Sequence, residues 1–554
     1  MVYEVYPRSF ADADGDGIGD LQGVTEHLDY LEYLGVDVLW LCPVYRSPQR
    51  DNGYDVSDYQ DVDPIFGTLA DLDALISAVH AHGMRLIMDL VVNHTSDQHP
   101  WFLESRLSRR SATSEWYFWR DPRPGTLAGA PGSEPNNWGA TFAGSAWEWA
   151  PERGQYYLHL FSASQPDLNW DNADLREAVY TMMTWWLDRG VDGFRMDVIN
   201  LISKDPALPD GPPGRSGYGD GMPHVSHGPR IHAYLAEMKQ RVFDSRPGSY
   251  LTVGEMPGVT PEQAREFTDA DHGQLAMVFQ FEHVALDQDG DKWTPKAVSV
   301  HDLRETLARW QLVLGDTGWN SLYWNNHDQP RVVSRYGNDG TYWRESATAL
   351  ATVLHPHRGT PSVAQGEETG MPNAAFDRTD DYRDIESLDY HREAIHRRGE
   401  DPSVVLETLR RRSRDNARTP MQWTDQPGAG FTTGTPWIQI NPNHRWLNVR
   451  AQRGAPDSIL EYYRALIGLR HRLPVAVDGR FSLIEVGQDQ VYAFRRSLAG
   501  ATLEVYANLS DQPVPLQPVG GGKPDRHSLI LSNYRGERLD PERLEPWDAR
   551  VYLS

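Results

Sequence analysis

One cysteine in 554 residues excludes an intrachain disulfide and any multi-cysteine metal site. That residue, Cys42, lies in an apolar run over residues 38–44, where a small buried hydrophobe is expected. No run of about 18 apolar residues occurs, so the sequence offers no candidate membrane span. The opening residues, Met-Val-Tyr-Glu-Val-Tyr-Pro-Arg, have neither the basic nor the apolar region of a secretory signal, and a cytoplasmic location is expected. Basic residues are few: 53 Lys and Arg stand against 78 Asp and Glu, and the formal charge of −25 repels phosphate backbones and anionic lipid. Nucleic acid and membrane are therefore not expected partners, and a small uncharged substrate fits better. Acidic excess also serves solubility, so it excludes more than it identifies. No internal repeat is present, and low complexity is confined to a turn at Gly520-Gly521-Gly522.

What is present is the balance of an ordinary globular chain, 39% hydrophobic and 24% charged, at a length that one core cannot fill. Short apolar runs recur at residues 2–10, 36–44, 85–93, 191–199, 250–255, 277–281, 320–325 and 360–365. Amphipathic segments stand between several of them, for instance 69–82 and 176–189, each closing at a glycine, Gly83 and Gly190, as a helix end does. Eight strands alternating with helices predict an α/β fold, a (β/α)8 TIM barrel, whose active site lies at the C-terminal strand ends. Polar residues gather at those ends: Asn93-His94, Arg195 with Asp197, Glu255, and Asn326-His327-Asp328.

Three stretches depart from the repeat. Residues 95–170, rich in Pro, Gly and Trp, predict a small inserted domain after the third strand, so that 1–94 and 171–475 form the barrel. A polar stretch over about 369–425, with the basic run Arg410-Arg411-Arg412, predicts a loop excursion above the barrel mouth. Alternating strands at 481–486, 490–495 and 502–509 predict a C-terminal antiparallel β-sandwich over 476–554. Aromatic residues are 11% of the chain, with 19 Trp, in clusters such as Trp116-Tyr117-Phe118-Trp119 and Trp147-Glu148-Trp149. Composition does not separate core packing from stacking platforms for sugar rings.

The segment that organises the rest is 190–200, Gly-Val-Asp-Gly-Phe-Arg-Met-Asp-Val-Ile-Asn. It reads as a buried strand, yet Arg195 and Asp197 stand two apart and so point to one side. Burying either alone costs several kcal/mol, so the two brace a core, face a polar cavity or face a ligand. Five further motifs accompany it: Asp89-Leu-Val-Val-Asn93-His94, Gly254-Glu255-Met, Asn325-Asn-His327-Asp328-Gln-Pro-Arg331, Gln165-Pro-Asp-Leu-Asn169 and Arg414-Asp-Asn-Ala-Arg-Thr-Pro-Met-Gln-Trp423. Together with Gly193-Phe-Arg-Met-Asp197 they resemble the α-amylase superfamily of retaining glycoside hydrolases, glycoside hydrolase family 13, in its oligo-1,6-glucosidase/α-glucosidase branch.

The resemblance implies Asp197 as nucleophile, Glu255 as acid/base and Asp328 as the third carboxylate, holding ring hydroxyls in the transition state. Physics agrees: retention needs two carboxyl groups about 5 to 5.5 Å apart, and adjacent strands lie about 4.8 Å apart. Arg195 beside Asp197 is expected to depress its pKa, while no compensating charge follows Glu255 in Met256-Pro257. His94 and His327 are expected to donate to the same sugar. The resemblance further implies that Tyr54 stacks on the ring and that Asp51 pairs with Arg414 over the terminal hydroxyls, closing a pocket that admits chain ends only. Val198, directly after the nucleophile, is the residue that α-1,6-cleaving members of the branch carry, so α-1,6-linked glucose ranks first, by about 1 to 3 kcal/mol at most.

The loop Asp12-Ala-Asp14-Gly-Asp16-Gly-Ile18-Gly-Asp20 begins like a calcium-binding EF-hand loop but has Gly23 at its twelfth position. By resemblance, Asp12, Asp14, Asp16, Asp20 and the carbonyl of Ile18 hold a structural cation, Ca2+ or Mg2+; no organic cofactor is implied. Rival activities are an α-1,4-glucosidase (maltase) and a sucrose-acting hydrolase or isomerase with transglycosylation. The basic run at 410–412 raises phosphate recognition, as in trehalose-6-phosphate hydrolases, against the plainer alternative of a solvated face. A noncatalytic binding protein or transporter-associated relative has no need of two opposed carboxylates. Residues 205–227 are expected to form an acceptor-side loop, and the chain to act as monomer or homodimer.

Overall fold

All eight apolar runs become strands of one parallel sheet in the computed structural model, which describes residues 1–214, 217–516, 525–536 and 539–554. They are β1 (Val2–Val5), β2 (Val38–Leu41), β3 (Arg85–Leu90), β4 (Gly193–Met196), β5 (Leu251–Glu255), β6 (Met277–Phe279), β7 (Ser321–Leu322) and β8 (Thr360–Ala364). Neighbours run β6-β5-β4-β3-β2-β1-β8-β7, and a parallel bridge from Val278 to Asn320 joins β6 to the start of β7 and closes the barrel.

The strands are shorter than the apolar runs, for local reasons. β1 stops at Val5 because Pro7, which lacks an N–H, opens a 3-10 turn over Pro7–Ser9. β7 keeps two residues because the chain then leaves the ladder, with the Tyr323 hydroxyl on the Gln280 carbonyl and the Trp324 indole on Leu350, and delivers Asn325 to Asp328 to the barrel mouth. β4 begins at a glycine for a steric reason: Gly193 has φ 146°, and a Cβ there would lie 1.9 Å from the Leu251 carbonyl of β5. Helices α1 (Leu69–Ala81) and α2 (Ala173–Asp188) start at side-chain caps, Thr68 in a capping box with Asp71, and Asn172. Their ends run into the expected glycines, Gly83 and Gly190, at φ 72° and 105°.

Residues between β3 and α2 carry the helix Pro100–Leu107 and a three-stranded antiparallel sheet, Trp119–Arg120, Gln155–Leu158 and Trp147–Ala150. Tyr117, Phe118, Trp119 and Trp147 are buried there, so these clustered aromatics are core. The polar stretch over 369–425 corrects an expectation: it holds two helices, α3 (Ile385–His396) and α4 (Pro402–Arg412), rather than a plain loop. Asp384 and Asp401 cap them, and Pro402 sits at the first turn, where its missing N–H costs nothing.

The C-terminal part forms a five-stranded antiparallel sheet of β9 (Arg480–Leu483), β10 (Val491–Leu498), β11 (Ala501–Asn508), β12 (Leu529–Ser532) and β13 (Ala549–Leu553), in the order β9-β10-β11-β13-β12. Both faces are covered. Tyr492, Phe494 and Val505 pack on Ala349, Leu350 and Val353 of a barrel helix, while Val491, Ala493 and Tyr506 pack on Val514, Leu516 and Leu544 around a two-stranded sheet. Period-two alternation sorts the residues to the two sides. The turn at Gly520-Gly521-Gly522 lies outside the described residues.

Candidate active site

Strand register sets the centre. β4 and β5 pair with Val253 opposite Arg195 and Gly254 opposite Met196, so Glu255, one residue on, is level with Asp197. On the other side β3 places Asp89 opposite Arg195. The buried guanidinium of Arg195 serves all three carboxylates: Nη1 lies 2.5 Å from Asp89 and 2.8 Å from Asp197, and Nη2 lies 2.5 Å from Glu255. Arg195 also stacks over Trp40. The pair of charges in the strand therefore braces the core and lines the mouth at once.

Burial pushes Asp197 up to about 6, with Arg195 opposing and Asp89 reinforcing the rise. Burial pushes Glu255 up to about 8, with Arg195 opposing and Asp197 and Asp328 reinforcing. Two expectations are corrected here. Arg195 does not depress Asp197 below its ordinary value, because desolvation outweighs an arginine shared among three carboxylates. Glu255 does have a compensating charge, and it comes from Arg195 across the strands rather than from its own neighbours. The order survives: Glu255 keeps its proton to higher pH than Asp197.

Asp328 follows β7 and is held from three sides. Arg414 Nη1 and Arg418 Nη2 lie 3.1 and 2.9 Å from its Oδ1, and His327 Nε2 lies 3.2 Å from Oδ2. Burial alone would raise this carboxyl, but His327 and the two arginines outweigh it and hold it well below the usual range. The other ring nitrogen of His327 faces Glu4 at 2.6 Å, and Asp328 helps to hold the imidazole well above its ordinary value against burial. Cys42 is buried beside them, 3.5 Å from Glu4, where burial pushes its thiol up.

Tyr54 stacks on His327 with ring centroids 4.9 Å apart and an interplanar angle of 8°. Asp51 bonds Arg414 at 2.9 Å through one oxygen and Gln165 at 3.0 Å through the other. His94 Nε2 faces the Tyr54 carbonyl at 3.1 Å and Nδ1 faces the Asn93 amide at 3.2 Å. Val198 is buried immediately after Asp197.

Beside Arg414 opens a cavity of about 600 Å3 lined by Phe142, Met222, Trp293, Glu386 and Tyr390, with Pro212, Pro213 and Gly219 from the 205–227 stretch on its wall; residues 215 and 216 lie outside the described residues. Phe142 lies under the Arg414 guanidinium, and Glu386 is 3.4 Å from its Nε.

Several residues escaped the sequence. Asp384, fully buried at the N-cap of α3, contacts Arg414 at 2.6 Å and Arg418 at 3.3 Å, and nothing in a polar stretch distinguishes it from its neighbours. Arg418 carried a signal, its place four residues after Arg414 in the same motif. Lys204 carried none. Its side chain and that of Asp167 are fully buried and 2.9 Å apart, and its ammonium also donates to Asn93 and to the Leu201 carbonyl, tying the inserted segment to β3 and β4. The basic run divides: Arg412 pairs with buried Asp287, which Arg335 also contacts, while Arg411 pairs with Glu407 on the exposed face of α4.

In the aspartate loop, Asp12, Asp14 and Asp20 each bring an oxygen within 4.8 Å of the others; Asp16 is not in that group, and its Oδ1 accepts from the Ile18 N–H. Asp20 doubles as a helix N-cap, accepting from Gly23 N–H at 2.6 Å. A Cβ at position 23 would lie 2.1 Å from the Ala11 carbonyl, so the glutamate of an EF-hand has no room there.

The family description "alpha amylase, catalytic domain" matches residues 4–479, and the chain belongs to this family of glycoside hydrolases. It is 50% identical over its whole length to an oligo-1,6-glucosidase of Parageobacillus thermoglucosidasius, covering 98% of that protein, and 48% identical, with the same coverage, to an α-glucosidase of Pediococcus pentosaceus. A solved trehalose-6-phosphate hydrolase of Bacillus licheniformis is 41% identical and superimposes with a TM-score of 0.92 over 100% of this chain and 98% of that one.

Proposed function

We propose that the chain is a retaining, exo-acting α-glucosidase that releases glucose from the non-reducing end of short α-glucosides, with α-1,6 linkages preferred. The observation that carries the exo reading is the Asp51–Arg414 bond, which with Tyr54 shuts one end of the pocket. Asp197 attacks the anomeric carbon while Glu255, neutral at neutral pH, protonates the glycosidic oxygen; the leaving sugar departs from a covalent β-glucosyl-enzyme. Glu255, now a carboxylate, takes a proton from water as water attacks that carbon; the bond to Asp197 breaks and the anomeric configuration is inverted a second time. Asp328 and His327 hold the ring hydroxyls. His94 donates to the same sugar on releasing the Tyr54 carbonyl.

The α-1,6 preference rests on Val198 and on the oligo-1,6-glucosidases among its relatives. Initial rates on isomaltose, panose, maltose, sucrose and trehalose-6-phosphate, with Asp197→Asn as the blank, test it. Isomaltose and panose lead under this proposal; maltose at equal or higher rate refutes the linkage preference and leaves the mechanism standing. Phosphate recognition by residues 410–412 is disfavoured, since Arg412 is committed to buried Asp287 and Arg411 to Glu407.

A structural Ca2+ or Mg2+ in the Asp12–Asp20 loop belongs to the same proposal, supported by the convergence of Asp12, Asp14 and Asp20, with Asp16 and the Ile18 carbonyl completing it by resemblance. So do a cytoplasmic location and a monomeric or dimeric state; among the described residues no helix is long and apolar enough to cross a membrane.

A further inference from the structure

Nine residues other than glycine have a positive φ among those described, and Val198 is the one with a branched Cβ, at φ 36° and ψ 40°. A branched Cβ disfavours the left-handed region more than any other side chain on that roster. Such strain persists only where the surroundings fix it, and it concentrates at functional sites. Three contacts fix Val198. The Val198 carbonyl accepts from Leu201 N–H at 2.9 Å, opening the 3-10 turn Ile199–Leu201, and its side chain packs with Phe118, Leu160 and Leu201. Its N–H donates to Oε2 of Glu255 at 3.0 Å. Arg195 Nη2 lies 2.5 Å from the other oxygen, so the carboxyl is held between a guanidinium on one side and the Val198 N–H on the other.

We propose that the left-handed turn at Val198 is a positioning device, whose backbone N–H orients the Glu255 carboxyl for proton delivery to the leaving oxygen. Position 198 thus acts on catalysis through its main chain, apart from any effect of its side chain on linkage. The inference rests on the reading of Glu255 as acid/base.

Replacing Val198 by its α-hydroxy acid analogue converts the amide to an ester, removing the N–H and keeping the isopropyl group. The expected result is a fall of about tenfold in kcat/KM on isomaltose, a much smaller fall on p-nitrophenyl α-glucoside, whose leaving group needs little protonation, and an alkaline limb moved to higher pH because the lost donor favoured the carboxylate form. Val198→Gly, which keeps the N–H and adopts the same backbone freely, leaves the alkaline limb where it is in the parent enzyme. Equal losses on both substrates with an unmoved limb, or a moved limb in Val198→Gly, overturn the proposal. Glu255→Gln separates the two levels: if it still hydrolyses isomaltose, the acid/base assignment itself is wrong.

Discussion

Lys204→Met tests what joins the inserted segment to the barrel. The substitution keeps most of the side-chain volume and removes the charge, leaving the Asp167 carboxylate buried with two neutral donors, Leu160 N–H at 2.8 Å and the Asn93 amide at 3.2 Å. Breaking a fully buried pair in this way costs about 3 to 5 kcal/mol, because the remaining charge is stranded. With about 2.1 cal/mol/K of unfolding entropy per residue over 554 residues, 1 kcal/mol is worth about 0.9 °C for a chain that melts as one unit. Thermal melting followed by tryptophan fluorescence should therefore show a midpoint about 3 to 4 °C below the parent's. Adding Asp167→Asn removes the stranded charge, so the double variant should melt above the single one, with a coupling energy of about 2 kcal/mol or more in the cycle. A single variant that melts within 1 °C of the parent, by the same arithmetic less than about 1 kcal/mol, refutes the stranded-charge reasoning. So does a double variant no better than the single.

The pH dependence of kcat/KM should be bell-shaped. It rises near pH 6 as Asp197, pushed up to about 6, loses its proton and can attack; it falls near pH 8 as Glu255, pushed up to about 8, loses the proton it must give. Both limbs belong to the coupled pair, and a profile still rising at pH 9 would contradict the assignment of Glu255. For the aspartate loop, EDTA should lower the melting temperature and CaCl2 restore it, since a cation bound only by the folded chain stabilises it by mass action; unchanged melting and activity in EDTA would remove the cation from the proposal.

How much of this was legible in the sequence depended on period and on position in a motif. The eight strands were legible because apolar runs bounded by helices repeat, and the barrel then places their C-terminal ends together. Asp197 and Glu255 were legible for the same reason. The electrostatics were not. Sequence adjacency suggested that Arg195 serves Asp197, and it does, but the strand register hands the same guanidinium to Asp89 and Glu255 as well, and burial decides the sign. Lys204 and Asp384 were illegible because each meets its partners only across the fold: Lys204 is 37 positions from Asp167 in a loop without periodicity, and Asp384 reaches Arg414 from the cap of a helix hidden in a polar stretch. The helices α3 and α4 were missed because their apolar faces are narrow and their signal lies in the caps.

Asp51 and Arg414 stand 363 residues apart in the chain and bond at 2.9 Å. The wall of the proposed glucose pocket is thus built from two segments that meet only when most of the barrel between them is in place. On the proposed reading, a nascent chain already carrying Asp197, Glu255 and Asp328 would still lack that wall until Arg414, 86 residues beyond Asp328, has been synthesised and has folded back onto Asp51.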